Sequence, residues 1–221
     1  MEPVVVIDFE TTGLSPEHGA RATEIAAVLV RDGHVVDRYQ SLMNAGQPIP
    51  AFIQSLTGIT HSMIRRAPAA RQVMAEVADF VGNYPIVAHN ASFDRKFWEA
   101  ELARIGHQTM QPFVCSMLIA RRVLPEAPNH KLGTLATYAR LPVTGRHHRA
   151  LADAEMAAHL TLFLERTLAD QFRLGAVSYE LLQRIQRASR PRLSECVQGY
   201  SRVPPTSGCN RAGHNAADNW A

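Results

Sequence analysis

The amino-acid sequence predicts an α/β fold in which a mixed central sheet, three antiparallel strands followed by parallel strands, is flanked by helices. Three observations support this. Apolar runs of strand length crowd the first 43 residues and are joined by turn residues. After residue 84, short apolar runs alternate with segments of helical periodicity, the pattern of a sheet extended by crossover helices. A chain of 221 residues, 46% hydrophobic and 19% charged, has apolar material for one substantial core.

Val4-Val5-Val6-Ile7 opens the chain as a strand that Thr11-Thr12-Gly13 terminates with small residues. Glu24 to Val30 and Val35 to Met43 read as two more strands, because Asp32-Gly33 supplies the positive φ angles of a tight hairpin. Pro50 to Leu56 and Ala69 to Val81 have helical spacing, the second through Val73, Val77, Phe80 and Val81. Pro85 to Ala88 is a short buried strand. A helix follows from Ala91 to Ile105, with Phe93, Phe97, Trp98, Leu102 and Ile105 at three- and four-residue intervals until Gly106 stops it. Phe113-Val114-Cys115 is the next strand, then come helices from Met117 to Val123, from Leu132 to Arg140 and from Ala150 to Leu168. Leu174 to Ala188 forms one further amphipathic helix. Residues 1–170 are thus expected to form the main domain, 171–190 a C-terminal helix, and 191–221, rich in Pro, Gly, Ser, Asn and Arg, a flexible tail.

No cationic, long apolar or signal-cleavage segment marks secretion or membrane insertion, so the cytoplasm is the expected compartment. Cys115, Cys196 and Cys209 are scattered, which suits neither a disulfide framework nor structural zinc, and His214 does not complete a zinc spacing. A net charge of +3 permits a polyanionic partner without requiring one. Lys96 and Lys131 are the only lysines, and the arginines that supply the other cations can grip phosphate with two parallel hydrogen bonds.

Chemistry is concentrated in a few acids. Asp8 and Glu10 stand two residues apart on a strand, so both carboxylates leave the same face. At a separation of about 7 Å, two unit charges repel by roughly 0.6 kcal/mol in water and about 2.4 kcal/mol at an effective dielectric of 20, so a half-buried pair favours protonation or a cation. Asp94, in His89-Asn90-Ala91-Ser92-Phe93-Asp94, starts a helix directly after a strand; helix capping alone accounts for an acid there. His148 and Asp153 flank the start of the long helix, with Gly145 just upstream, so the histidine sits on a loop and the acid on the helix. His147 reads as a loop residue, and Trp220 as a lone aromatic in a polar segment.

Together, three motifs carry a family resemblance: Val6-Ile7-Asp8-Phe9-Glu10-Thr11-Thr12-Gly13-Leu14, Val87-Ala88-His89-Asn90-Ala91-Ser92-Phe93-Asp94, and His148 with Asp153 five residues on. Their types, order and spacing between Val4 and Leu168 resemble the DEDDh exonucleases. Leu56-Thr57-Gly58-Ile59-Thr60 and Asn129-His130-Lys131-Leu132-Gly133-Thr134-Leu135 further resemble the proofreading branch, that of epsilon subunits and the exonuclease domains of bacterial replicative polymerases. The resemblance implies a ribonuclease H-like fold and removal of nucleotides from 3′ ends with two divalent cations, Mg²⁺ or Mn²⁺. It implies that Asp8 bridges both metals, that Glu10 and Asp153 hold one, that Asp94 supports the other, and that His148 is the base. An imidazole with an ordinary pKa near 6.5 suits deprotonation of water at neutral pH. Thr11, Thr12 and Leu14 are expected to meet the terminal nucleotide, with Asn90 and Phe93 in the same groove. For Leu14 core packing competes evenly with that role, and for Phe93 it is the better account. The expected partner is nucleic acid, single-stranded or frayed 3′ DNA ends ahead of RNA, with a DNA polymerase as a candidate assembly partner. RNA or oligoribonucleotide cleavage remains an alternative, as does a non-catalytic binding or polymerase-tethering module.

Overall fold

The computed structural model describes residues 1–142 and 148–201. Its sheet has five strands in the order β3-β2-β1-β4-β5. β1 (Val4–Thr11), β2 (Ala22–Arg31) and β3 (His34–Leu42) form an antiparallel meander, whose β2–β3 turn uses Asp32 and Gly33 at positive φ. β4 (Ile86–Ala88) and β5 (Phe113–Cys115) add in parallel beside β1, as expected for strands reached through crossover helices. The mixed sheet read from the sequence is therefore the one the chain forms. One irregularity falls beside the acidic motif: Glu10 pairs with Glu24, but Thr11 pairs with Ala22, so Thr23 is an extra residue in β2.

Period-two alternation gives β1 two buried faces. Val4 and Val6 join a core that includes Ala150, Ala154, Ala157, Ala158, Leu160 and Leu164 of α7 (Ala150–Phe172). Alanine along that face lets the helix approach the sheet closely, and Ala26 of β2 is small for the same reason. Val5, Ile7 and Phe9 join the opposite core with Val73, Met74 and Val77 of α3 (Ala70–Val81) and Phe97, Trp98 and Leu102 of α4 (Ser92–Ala103). Two short helices, α1 (Ala51–Thr57) and α2 (His61–Arg66), close over a small cluster of Ile49, Ile59 and Ile64. The sequence reading passed over α2; Thr60 caps it by accepting the Met63 N–H.

α5 (Ser116–Val123) and α6 (Leu132–Tyr138) follow β5 on the α7 side of the sheet. α8 (Tyr179–Arg187) then runs along the β5 edge. The Tyr179 hydroxyl donates to the region where the Ile86 and Pro112 carbonyls start β4 and β5, whereas Gln186 accepts from Cys115 N–H and donates to the Phe113 carbonyl. An edge strand that would otherwise offer free backbone groups is thereby capped by a side chain. A 3₁₀ turn over Arg190–Arg192 reverses the chain into α9 (Leu193–Ser201), whose Tyr200 hydroxyl meets Ser178 at the far end of α8.

α9 corrects the expectation of a tail from residue 191. Leu193 and Val197, one turn apart, are buried against the α8 side of the core, and Cys196 packs partly against it. Two apolar residues at a four-residue interval in a polar composition sufficed for an amphipathic turn that composition alone concealed. The main helix also outruns its expected end at 168 by continuing to Phe172, where Arg173 takes the left-handed conformation. His147, Gly145, Cys209, His214 and Trp220 lie outside the described residues. Among the described residues no helix is long and apolar enough to cross a membrane.

Candidate active site

Asp8 and Glu10 leave β1 on the same face as Val4 and Val6, the face that α7 covers. α7 begins at Ala150, which places Asp153 in its first turn above them, where the helix dipole favours an anion. His148 precedes the helix in a left-handed conformation (φ 61°), and its backbone N–H donates to Asp153 Oδ2 at 3.0 Å. Glu10, His148 and Asp153 each present a donor atom, all within 4.8 Å of one another. α4 delivers the fourth acid from the opposite side of the sheet. Asp94 is 2% exposed and its Oδ1 accepts the Phe9 N–H at 3.1 Å, which ties the start of α4 to the end of β1. The turn before α4 holds Asn90 at φ 67°, a conformation that asparagine tolerates better than most residues.

Four carboxylates from three segments thus converge at one end of the sheet. Burial drives the Asp8 carboxyl well above the usual range, and Asp94, Asp153, Glu10 and Glu24 push it further in that order. Glu10 is raised to about 8, by burial first and then by Asp153 and Glu24, with Arg149 opposing. Asp94 is raised to about 7 by burial, which the N–H of Phe9 and its own N–H partly offset. Among the described residues no arginine, lysine or histidine forms an ion pair with Asp8, Glu10 or Asp94. Carboxylate oxygens gathered here, with Arg149 only partly offsetting Glu10, fit hard divalent cations, whose charge would reverse each of these shifts.

The acids line a cleft of about 680 Å³. Leu14 stands in its wall and is 85% exposed, so core packing is not its role. Phe93 serves both expectations: its ring packs on Phe97 at a centroid distance of 5.0 Å while its other side lines the cleft, as does Asn90. Thr11 is a buried wall residue whose hydroxyl donates to the Gly13 carbonyl at 2.6 Å. Thr12 is not among the lining residues, and its hydroxyl accepts the Arg21 N–H at 3.0 Å, which holds the loop after β1 shut. Both hydroxyls are therefore engaged within the loop. Both secondary motifs contribute to its wall, through Leu56 and Thr57 and through Lys131, Leu132, Gly133 and Thr134.

Sequence reasoning missed three residues. Glu24, fully buried on β2 directly opposite Glu10, accepts two hydrogen bonds from Arg149 (2.8 and 3.0 Å), one from Ala150 N–H and one from Gln40. It thereby fixes the start of α7 between His148 and Asp153. His89 ends β4 with Nε2 3.0 Å from the His130 carbonyl and Nδ1 3.0 Å from the Ser116 hydroxyl. A carbonyl only accepts, so Nε2 carries the proton and Nδ1 accepts from Ser116. Burial lowers the His89 pKa to about 4, so the ring is neutral. The signal for Glu24 and Arg149 was available only as two charges inside apolar patterns; nothing in the sequence pairs them.

A strand-borne acid pair, a helix-borne acid from each side of the sheet and a loop histidine define a nuclease-type site on a ribonuclease H-like fold. A family model described as Exonuclease, of the RNase T type, matches residues 5–161, and the chain belongs to that family. It is 39% identical over 160 residues to the DNA polymerase III PolC-type of Bacillus cereus, a match covering 72% of this chain and 11% of that protein. It is 34% identical over 195 residues to the 3′-5′ exonuclease DinG of Bacillus subtilis, covering 86% of this chain and 20% of that one. The chain thus spans about a tenth to a fifth of the length of these relatives. Exonuclease X, solved in complex with 5′ overhanging duplex DNA, superposes with a TM-score of 0.66 at 27% identity over 83% of this chain and 99% of that one.

Proposed function

We propose that this protein is a divalent-metal-dependent 3′→5′ exonuclease that removes nucleotides from single-stranded or frayed DNA ends, in proofreading or repair. The observation that carries the reading is the convergence of Asp8, Glu10, Asp94 and Asp153 at one sheet end, where burial raises the carboxyls of Asp8, Glu10 and Asp94 and neighbouring acids raise Asp8 and Glu10 further. DNA is favoured over RNA because one relative is named for a DNA polymerase and because Exonuclease X was solved in complex with duplex DNA. A polymerase as assembly partner rests on the first of those names alone.

Asp8, Glu10, Asp94 and Asp153 would hold two Mg²⁺ or Mn²⁺ ions, with Glu10 and Asp153 sharing one and Asp94 supporting the other. Such ions polarise a phosphoryl oxygen and acidify water when bound. His148, on its loop beside Glu10 and Asp153, takes the proton of the attacking water. Water adds to the terminal phosphorus, the P–O3′ bond breaks and the departing 3′-oxygen takes a proton from solvent water, releasing a nucleoside 5′-monophosphate and a shortened strand with a free 3′-hydroxyl. Leu14 and Phe93 offer apolar surface to the terminal base, and the neutral ring of His89 braces the turn that carries Asn90.

Digestion of matched 3′-labelled DNA and RNA oligonucleotides, with Mg²⁺ and with EDTA, tests the reading. Mg²⁺-dependent loss of the DNA label supports it, whereas rapid RNA cleavage without DNA cleavage overturns the substrate. His148→Ala is expected to lower turnover by roughly 10²- to 10⁴-fold, the usual weight of a general base. The same variant should keep the thermal shift caused by Mn²⁺; loss of that shift would make His148 a ligand rather than the base.

A further inference from the structure

We propose that the groove between α8 and α9 is a second nucleic-acid contact, an arginine-lined track that holds the phosphates of the strand upstream of the catalytic cleft. The proposal rests on the exonuclease reading for its ligand but on different residues. The groove encloses about 630 Å³ and is lined by Arg184, Arg187 and Arg192, with Ser189, Glu195 and Cys196. It lies beyond the 5–161 match that defines the family.

Its place in the fold is the first argument. α8 starts where β4 and β5 begin and ends, through Gln186, at the Cys115 end of β5, the same end of the sheet at which His89 and the four acids stand. A chain of contacts connects the two sites. His89, in the wall of the catalytic cleft, hydrogen-bonds Ser116 at the start of α5 and feels the charge of Arg121. Arg122, next to it on α5, donates to the Ala188 carbonyl in the groove wall at 2.8 Å.

Charge is the second argument. Arg121, Arg122, Arg184, Arg187, Arg190 and Arg192 face only Glu126, Glu180 and Glu195 as ion-pair partners among the described residues. Those three pairs are solvent-exposed and of the weak surface kind, so a phosphate that accepts two parallel hydrogen bonds can replace the glutamate. Arg187 has no ion-pair partner among the described residues. Tyr200 already lies under the Arg184 guanidinium, 5.1 Å from its ring centroid, which holds that group at the groove's edge. A comparable groove of about 620 Å³ lined by Arg71 and Arg104 sits at the C-terminal end of α4, the opposite end of that helix from Asp94.

The test compares full-length wild type with Arg187→Gln/Arg192→Gln and with Arg71→Gln/Arg104→Gln as a charge-matched control, each checked for its circular dichroism. The substrates are a long oligothymidylate and the p-nitrophenyl ester of thymidine 5′-monophosphate, which fills only the catalytic cleft. The groove variant should raise KM for the long strand about tenfold, lower its salt-dependence slope by roughly 0.7 per arginine and hydrolyse the ester at the wild-type rate. The control pair should change none of these. Unchanged KM and salt slope in the groove variant, or equal effects in the control, would overturn the proposal. Hydrolysis of neither substrate by the wild type would instead defeat the exonuclease reading. A second readout is independent of turnover. With EDTA present, the long oligothymidylate should slow maleimide labelling of Cys196 in a Cys209→Ser background, and undiminished labelling at saturating strand counts against the track.

Discussion

Two sets of buried acids sit on the paired strands β1 and β2 and on α4, and they are built on opposite principles. Glu24 and Glu101 are each gripped by one arginine through two hydrogen bonds, Arg149 and Arg21 respectively, and each also accepts a backbone N–H, from Ala150 and Ala22. Asp8, Glu10 and Asp94 have no arginine ion-pair partner among the described residues, Asp94 accepting the Phe9 N–H instead, so burial first and then neighbouring acids push the carboxyls of Asp8 and Glu10 upward, and burial raises that of Asp94. The first set is satisfied by the protein and can serve only to hold it together: Glu24 fastens α7 to β2, and Glu101 fastens α4 to the strand that follows the first loop. The second set is left in deficit, and stability alone would not select it. Burial is common to both; only the presence of a matched cation separates structural acids from those kept for a ligand.

The largest expected effect breaks the comparison if it fails. Asp8→Asn should lower Mg²⁺-dependent release of a 3′ label by more than about a hundredfold, as loss of a metal-holding group does. The melting temperature in EDTA should stay level or rise, because one of the repelling charges is gone. A drop in metal-free stability would place Asp8 with the structural acids.

Glu24→Gln should do the reverse. Removing one partner of a buried ion pair costs about 3–5 kcal/mol. For a domain of this size that is a fall in melting temperature of roughly 6–20 °C. Replacing Glu24 and Arg149 together with methionine should recover much of the loss, since a well-packed apolar pair carries no stranded charge. A neutral Glu24→Gln variant would show that the arginine grip contributes nothing.

The pH dependence sharpens the contrast. Glu10 and Asp94 release their protons near 4 in the unfolded chain but near 8 and 7 in the metal-free fold, so the folded state binds more protons between those values. Stability linked to these groups is complete below about pH 4 and is lost as the pH rises through about 8. Melting temperatures in EDTA should therefore fall across that window, and the rise produced by Mn²⁺ should grow with pH. A rise that is independent of pH would mean that the cations bind elsewhere.

The smallest effect concerns His89. Its neutral ring, with a pKa near 4 against about 6.5 unfolded, loses stability as the pH falls from 6.5 to 4. Between pH 4 and 6.5 this opposes the fall caused by Glu10 and Asp94, so His89→Gln should make the melting temperature in EDTA fall more steeply across that range while leaving the slope above pH 6.5 intact. An unchanged slope between pH 4 and 6.5 would remove His89 from the balance.

Local sequence carried much of this architecture. The alternation in Val4 to Ile7 and the Asp32-Gly33 turn place the strand meander, and the three- and four-residue intervals from Phe93 to Leu102 place α4, because these patterns depend on neighbours in the chain. α9 was hidden because its helix depends on burying Leu193 and Val197 against a surface that exists only after α8 has docked. The acids of the site could be listed from their spacing, including Asp94, whose position at a helix start fits capping equally well.

By itself the sequence determined the strand meander, the main helices and which side chains carry charge, since periodicity, turn chemistry and motif spacing are local properties. Tertiary structure alone decided which acid has a partner. Glu10 and Glu24 face each other across two strands, yet Arg149, 125 residues further along from Glu24, neutralises one and leaves the other raised. Electrostatic energy follows distance and burial in space, and neither can be read from separation along the chain.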